Sequence, residues 1–195
     1  SRHPDKVTFS QNIEDDLKRR DFTINAIAFD PTKDILVDPY QGQNDLKAKT
    51  IRAVGDAEAS IKEDGLRLLR AVRFATQLGF MINTETEKSL IVSHEILGKI
   101  AKERIRDEFV KIIDSDNPMI GVFMCQKLGL LQYIVPELEE GLHTKQNQAH
   151  SYNVFEHLLR SLQCAADKKY KTEVRIAALL HDIGKPKSRR FSDDK

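Results

Sequence analysis

The 195-residue sequence has almost no net charge, only two cysteines and no long apolar run, and each scarcity removes a class of function. Thirty-one Lys and Arg against thirty Asp and Glu leave a formal charge of +1. No global field therefore draws the chain to nucleic acid or membrane, and any such contact must rest on a local patch. Cys125 and Cys164 are too few for a disulfide framework; both stand in apolar helical patterns where a buried, reduced thiol is expected, and a cytoplasmic setting follows. No stretch of about 18 apolar residues occurs, and the opening SRHPDKVTFS has no apolar h-region, so neither a membrane span nor a signal peptide is expected. The chain begins without Met and stops at FSDDK, so a longer parent protein is expected.

What is present is a globular composition, 40% hydrophobic and 31% charged, at a length that suits one large domain or two small ones. The fold class read from the pattern is mostly α with a small N-terminal antiparallel β remnant, that is, α+β. From Phe22 to Val54 the segments FTINAIAF, ILV and TIRAV, parted by a DPTKD turn, read as two or three antiparallel strands. That is too little sheet to stand alone, and further strands are expected upstream. After Gly55 the texture becomes helical. Ile61–Leu78 places Leu66, Leu69, Val72 or Phe74, and Leu78 near a 3.6-residue period, with Gly79 as its stop. Further helices are expected at 84–93, 101–114, 117–129, 151–167 and 172–183, with Asn83 and either Ser115 or Asp116 as N-caps. The polar stretch 136–150 is the best boundary, and with the change of texture after Gly55 it divides the chain into 1–55, 56–135 and 136–195.

Two constellations in the first two parts carry chemistry. In RRDFTINA (19–26), the adjacent guanidinium groups of Arg19 and Arg20 suit triphosphate oxygens, and Asp21 and Asn25 can accept from and donate to a ribose hydroxyl. The plainer reading is a solvated basic turn before a strand. In EDGLRLLR (63–70), Asp64 and Arg67 stand three apart, one acceptor and one donor on a shared helical face. Such a pair imitates a Watson–Crick partner for cytosine or adenine, each of which shows an amine donor beside a ring-nitrogen acceptor; uracil and guanine present the reverse. The plainer reading is an ordinary helical ion pair.

RRDFTINA, then DPYQG (38–42), then EDGLRLLR, then RIRDE (104–108), in that order, resemble the class II tRNA nucleotidyltransferases (CCA-adding enzymes) and bacterial poly(A) polymerases. The resemblance runs from about residue 2 to about residue 131. It implies a nucleotidyltransferase head ending near 55 and a helical, base-recognising neck over 56–135. It also implies that Arg19, Arg20, Asp21 and Asn25 meet sugar and phosphate, that DPYQG is the flexible link between head and neck, that Glu63, Asp64 and Arg67 template CTP and ATP, and that Arg70 belongs to the nucleotide site. Arg104 of RIRDE would assist the nucleotide site. No catalytic residue is assigned within the chain, because the family's phosphate loop and the two carboxylates that hold paired Mg²⁺ precede RRDFTINA.

A third constellation joins His157 in YNVFEHLL to His181–Asp182 in AALLHDIGKP. If two helices lie side by side, these imidazoles and the carboxylate can share a divalent ion. HDIGKP is similar to the signature of HD-domain metal-dependent phosphohydrolases, which implies that 136–195 begins an HD domain whose last Asp ligand lies further on; His150 is a possible added ligand. Lys185, Lys187, Arg189 and Arg190 form the densest basic cluster and can meet a phosphate backbone. The function implied is addition of C and A to tRNA 3′ ends from CTP and ATP. Its alternatives are a poly(A) polymerase or a specialised A-adding or CC-adding enzyme, an HD-type phosphohydrolase, or a non-catalytic nucleotide- or RNA-binding fragment.

Overall fold

The computed structural model describes residues 12–144 and 152–188. His150, Arg189 and Arg190 lie outside the described residues.

The chain is mostly helical, with two small sheets near its start. Helix α1 (Ile13–Lys18) begins at Asn12, whose side chain accepts from the Glu14 amide, and leads into a 3₁₀ turn at Thr23–Asn25. Strands β1 (Ala28–Asp30) and β2 (Ile35–Val37) form an antiparallel hairpin that pairs Ala28 with Val37 and Asp30 with Ile35. Asp30 tightens the turn by accepting from the amide and hydroxyl of Thr32. One side of the hairpin rests on Leu17, Ala26 and Val54, while Phe29, Ile35 and Leu36 are about half exposed. After α2 (Gly42–Lys47), strand β3 (Thr50–Ile51) pairs in parallel with β4 (Met81–Ile82).

Two strand expectations need correction. FTINAIAF is not one strand: Phe22 makes a single antiparallel bridge to Ala53, the 3₁₀ turn follows, and only Ala28–Asp30 is extended and paired. TIRAV keeps that one antiparallel bridge, but its ladder runs parallel to β4, a strand the sequence pattern missed because a parallel partner returns only after a long crossover.

The crossover is α3 (Ala57–Glu63) and α4 (Arg67–Leu78), which corrects the expected single helix 61–78. The helix breaks at Asp64, which is extended, and resumes at Arg67. Within α4, Leu68, Leu69, Ala71, Val72 and Ala75 are buried, whereas Leu78, expected in the core, is exposed. Gly79 ends α4 in the left-handed conformation, as a C-terminal glycine should. Helix α5 (Thr84–Val92) starts at Asn83, whose side chain accepts from the amides of Glu85 and Thr86. Helices α6 (Lys102–Ile113) and α7 (Pro118–Lys127) pack on α4. The start of α7 is set by Pro118 in its first turn rather than by a Ser115 or Asp116 cap.

Beyond a short α8 (Glu137–Glu140), helices α9 (Val154–Asp167) and α10 (Thr172–Leu180) pair with each other, and α9 packs on α7; α11 (Lys185–Ser188) is one turn. Buried side chains from Phe22 through Leu131 and Leu138 to Leu179 form one continuous cluster across position 136. Arg175, itself buried, fastens α10 to the end of α6 by donating to the carbonyls of Ile113 (3.0 Å) and Ser115 (2.8 Å). Those carbonyls have no partner inside their own helix, so a cation there serves both hydrogen bonding and the helix dipole. Cys125 is buried, its thiol pushed up to about 12 by burial; Cys164, expected to be buried, is exposed on α9.

Candidate nucleotide site and candidate metal centre

RRDFTINA and EDGLRLLR, more than forty residues apart in sequence, are fastened to each other. Asp21 is buried, and its carboxylate is fully engaged: Oδ1 accepts from the Phe22 amide (2.8 Å) and Asn25 Nδ2 (3.1 Å), and Oδ2 accepts from Arg70 Nε (2.7 Å). Arg70 Nη2 also closes on that oxygen. One turn earlier on α4, Arg67 Nη2 donates to the carbonyl of Arg19 (2.7 Å). Positions 67 and 70 share a helix face, so α4 grips the turn at two nearby points.

The sequence expectation for Asp64 and Arg67 is altered. They flank the break between α3 and α4 and do not ride one helix, and the Arg67 side chain is only 12% accessible. Arg67 Nη1 donates to Ser60 Oγ (2.6 Å) and Ser60 O (3.2 Å) and lies 3.1 Å from Glu63 Oε2. Asp64 Oδ1 accepts from the Leu66 amide, and Oδ2 from Arg104 Nη2 at 3.0 Å. Arg19 and Arg20 are exposed, Arg20 pairing with Asp16 one turn back at 2.6 Å.

RIRDE divides between two faces of α6. Arg104 and Glu108, one turn apart, face α4, while Arg106 and Asp107 pair with each other in solvent. Glu108 is buried beside Arg73, with Oε2 and Nε 3.1 Å apart, and also takes Lys111 at 2.9 Å. The Arg73 Nε–H is not aimed at that oxygen, so the contact is one of charge rather than a hydrogen bond. Burial pulls the Arg73 guanidinium below its ordinary value, against the opposing pull of Glu108. Its face lies 4.2 Å over the Phe74 ring, which shelters the cation.

Sequence reasoning missed the support beneath the turn. Thr23 Oγ1 donates to the buried Asp45 (2.7 Å), which is gripped in turn by Arg52 Nε (3.0 Å). Gly42 packs so closely that a Cβ there would stand 2.1 Å from the Thr23 carbonyl. Gly42 belongs to DPYQG, whose Asp38 accepts from the Gly42 and Gln43 amides at 2.7 and 3.0 Å. That segment thus seats α2 against the RRDFTINA turn, and the glycine was the one available signal.

The third constellation does come together. His157 on α9 and His181 just past α10 bring their Nε2 atoms to 3.1 Å, and Asp182 Oδ2 lies 3.4 Å from the first and 3.3 Å from the second. Ligands about 2.1 Å from a divalent ion stand about 3.0–3.4 Å from one another, so this triangle has the size of one face of a coordination shell. His181 Nδ1 lies 2.9 Å from the Ala178 carbonyl. That carbonyl can only accept, which places the proton on Nδ1 and leaves Nε2 with a lone pair for a metal. Burial pushes the Asp182 carboxyl up, but the Lys185 ammonium, at 2.5 Å, and the two imidazoles outweigh it and hold it below its ordinary range. Among the described residues this is the group of His, Cys, Asp and Glu placed to hold a metal. Of the basic cluster, Lys185 is thus on Asp182, and Lys187 pairs with Glu140 at 2.8 Å.

Residues 1–52 match the poly A polymerase head domain, 79–142 the probable RNA and SrmB-binding site of polymerase A, and 150–195 the HD domain. Part by part and in this order, the chain is similar to the tRNA nucleotidyltransferases and poly(A) polymerases. EDGLRLLR falls between the first two matched spans, where the helix break lies. A CCA-adding enzyme of Lactobacillus delbrueckii subsp. bulgaricus is 54% identical over 111 residues, 57% of this chain and 28% of that protein. An A-adding tRNA nucleotidyltransferase of Deinococcus radiodurans is 39% identical over 191 residues, 94% of this chain and 43% of that one. The chain therefore spans less than half the length of these family members. The solved CCA-adding enzyme of Bacillus stearothermophilus in complex with CTP superposes with a TM-score of 0.66 at 30% identity, over 93% of this chain and half of that one. Among the described residues, no helix is long and apolar enough to cross a membrane.

Proposed function

We propose that this chain is the nucleotide-recognising part of a cytoplasmic tRNA nucleotidyltransferase that adds C and A to tRNA 3′ ends from CTP and ATP. The observation that carries the reading is the double grip of α4 on the RRDFTINA turn, Arg67 on the Arg19 carbonyl and Arg70 on Asp21. It brings the residues suited to sugar and phosphate beside those suited to a base edge. Exposed Arg19 and Arg20 meet the phosphates, with Asn25 on the sugar side. Asp64 and Arg67 read the amine and ring nitrogen of cytosine or adenine. Glu63, Arg104, Asp21 and Arg70 hold those groups in register. Mg²⁺ would serve transfer at carboxylates of the head, and no step of that transfer is assigned to residues described here.

The division into the head end (1–55), neck (56–135) and HD portion (136–195) belongs to the same proposal. The HD match favours a tRNA enzyme over a poly(A) polymerase, whose resemblance to this chain stops with the neck. A second reading has its own observation, the His157–His181–Asp182 triangle. Its two imidazoles and one carboxylate suit a divalent transition metal better than Mg²⁺, and a metal held there would serve phosphate-ester hydrolysis.

The test is to supply the full-length protein with tRNA lacking its terminal CCA, Mg²⁺ and labelled CTP or ATP. Addition of C then A, or of one of them, is expected. Long adenylate tails on unrelated RNA would instead identify a poly(A) polymerase, and no incorporation with phosphodiester hydrolysis would move the function to the HD portion.

A further inference from the structure

We propose that Ser60, which lies outside the recognised motifs, is a positioning residue that sets base selectivity by fixing the guanidinium of Arg67. The proposal rests on the reading of Arg67 as a base-reading group. Ser60 is buried in the last turn of α3, and both its hydroxyl oxygen (2.6 Å) and its carbonyl (3.2 Å) accept from Arg67 Nη1. At the other end of the same planar group, Nη2 donates to the Arg19 carbonyl at 2.7 Å.

A guanidinium carries five N–H groups in one plane. Two on Nη1 are directed to Ser60 and one on Nη2 to Arg19, so the plane is anchored at both ends. The remaining donors, on Nε and Nη2, then point in a set direction. Selectivity between cytosine and uracil depends on that direction, because the two bases differ only in which edge positions donate and which accept. An arginine free to turn about its terminal bonds can meet either order; one pinned at Nη1 and Nη2 cannot. Glu63, the other group near Nη1, has a side chain 59% exposed and is a weaker anchor than the short buried hydroxyl contact. The Ser60 contact also spans the break between α3 and α4, so it fixes Arg67 relative to Asp64, which sits at that break.

The experiment compares kcat/KM for CTP and UTP incorporation into tRNA by the full-length protein in four forms: unmodified, Ser60→Ala, Ser60→Thr and Arg67→Ala. Ser60→Ala should lower the CTP to UTP preference about 3- to 10-fold, the net worth of an ordinary hydrogen bond, because the Ser60 and Arg19 carbonyls still hold the guanidinium. Ser60→Thr, which keeps the hydroxyl, should restore the preference. A purely structural serine would lower thermal stability and incorporation of both nucleotides together and leave the ratio unmoved, and that result would overturn the proposal. So would a Thr variant as unselective as the Ala variant. If Arg67→Ala itself leaves the ratio unchanged, it is the base-reading role of Arg67 that fails; if Arg67→Ala lowers it and Ser60→Ala does not, only the role of Ser60 fails.

Discussion

Arg70 holds the carboxylate of Asp21 across 49 residues of chain, and with that contact α4 clasps the basic turn. Asp21 is buried, and Arg70 is the cation on its carboxylate; Arg70 is about one-third exposed, so water can replace part of what is lost. Arg70→Ala should therefore destabilise the chain by about 2–3 kcal/mol, below the loss for a fully buried pair. Thermal or urea unfolding checks this, and a change under about 0.5 kcal/mol would show that Asp21 finds another partner.

Asp38 caps α2 and so supports the same turn from the other side. Partial burial pushes its carboxyl up, but the Gln43 and Gly42 amides pull harder, and it lies below its ordinary value of 3.8. A carboxyl lowered on folding stabilises fully above the unfolded value, and the gain is lost as pH falls through the folded one. Asp38→Ala should cost about 1 kcal/mol at neutral pH. The gap to the unmodified chain should narrow only below about pH 4, as unfolding free energies measured from pH 7 to pH 3 would show.

Glu108 sits at the crossing of α6 and α4 with Arg73 on one side and Lys111 on the other. Glu108→Ala leaves Arg73 as an unpaired cation among apolar groups. The expected loss is about 3 kcal/mol, measurable by denaturant unfolding. Arg106→Ala, whose exposed pair lies on the opposite face, should change stability by less than about 0.5 kcal/mol.

The HD triangle makes its own prediction. Mn²⁺ added to the chain should bind with an affinity that His181→Ala or His157→Ala lowers by at least about tenfold. Lys185→Ala should raise it, because the ammonium on Asp182 competes with the metal for the same oxygen. Titration calorimetry with each variant decides the matter; equal affinity in the histidine variants would place the ion elsewhere.

Much of the fold was legible because it is written in local pattern. Asn83 starts α5 and Gly79 closes α4 as their types require, and the small antiparallel hairpin stands where ILV and its Asp-rich turn announce it. The histidines of the third constellation were legible too, since their spacing fits two helices laid side by side and the packing of α9 on α10 satisfies it. The motif strings alone pointed to the family, and the domain matches agree.

What the sequence by itself determined, then, is which residues have the chemical character the proposed sites need: Arg, Asp and Asn near the start, an acid and an arginine at 64 and 67, and two histidines with an aspartate. What only the tertiary structure decided is how they are held. The break at Asp64 had a signal in the Asp64–Gly65 dipeptide, but the apolar period that runs on through it reads as one continuous helix. The parallel pairing of β3 with β4, the burial of Arg67, the buried Glu108–Arg73 contact and the Arg175 clamp were hidden for a shared reason. Each depends on a partner from a distant segment, and a residue's type states which bonds it can make but not which segment will arrive to make them.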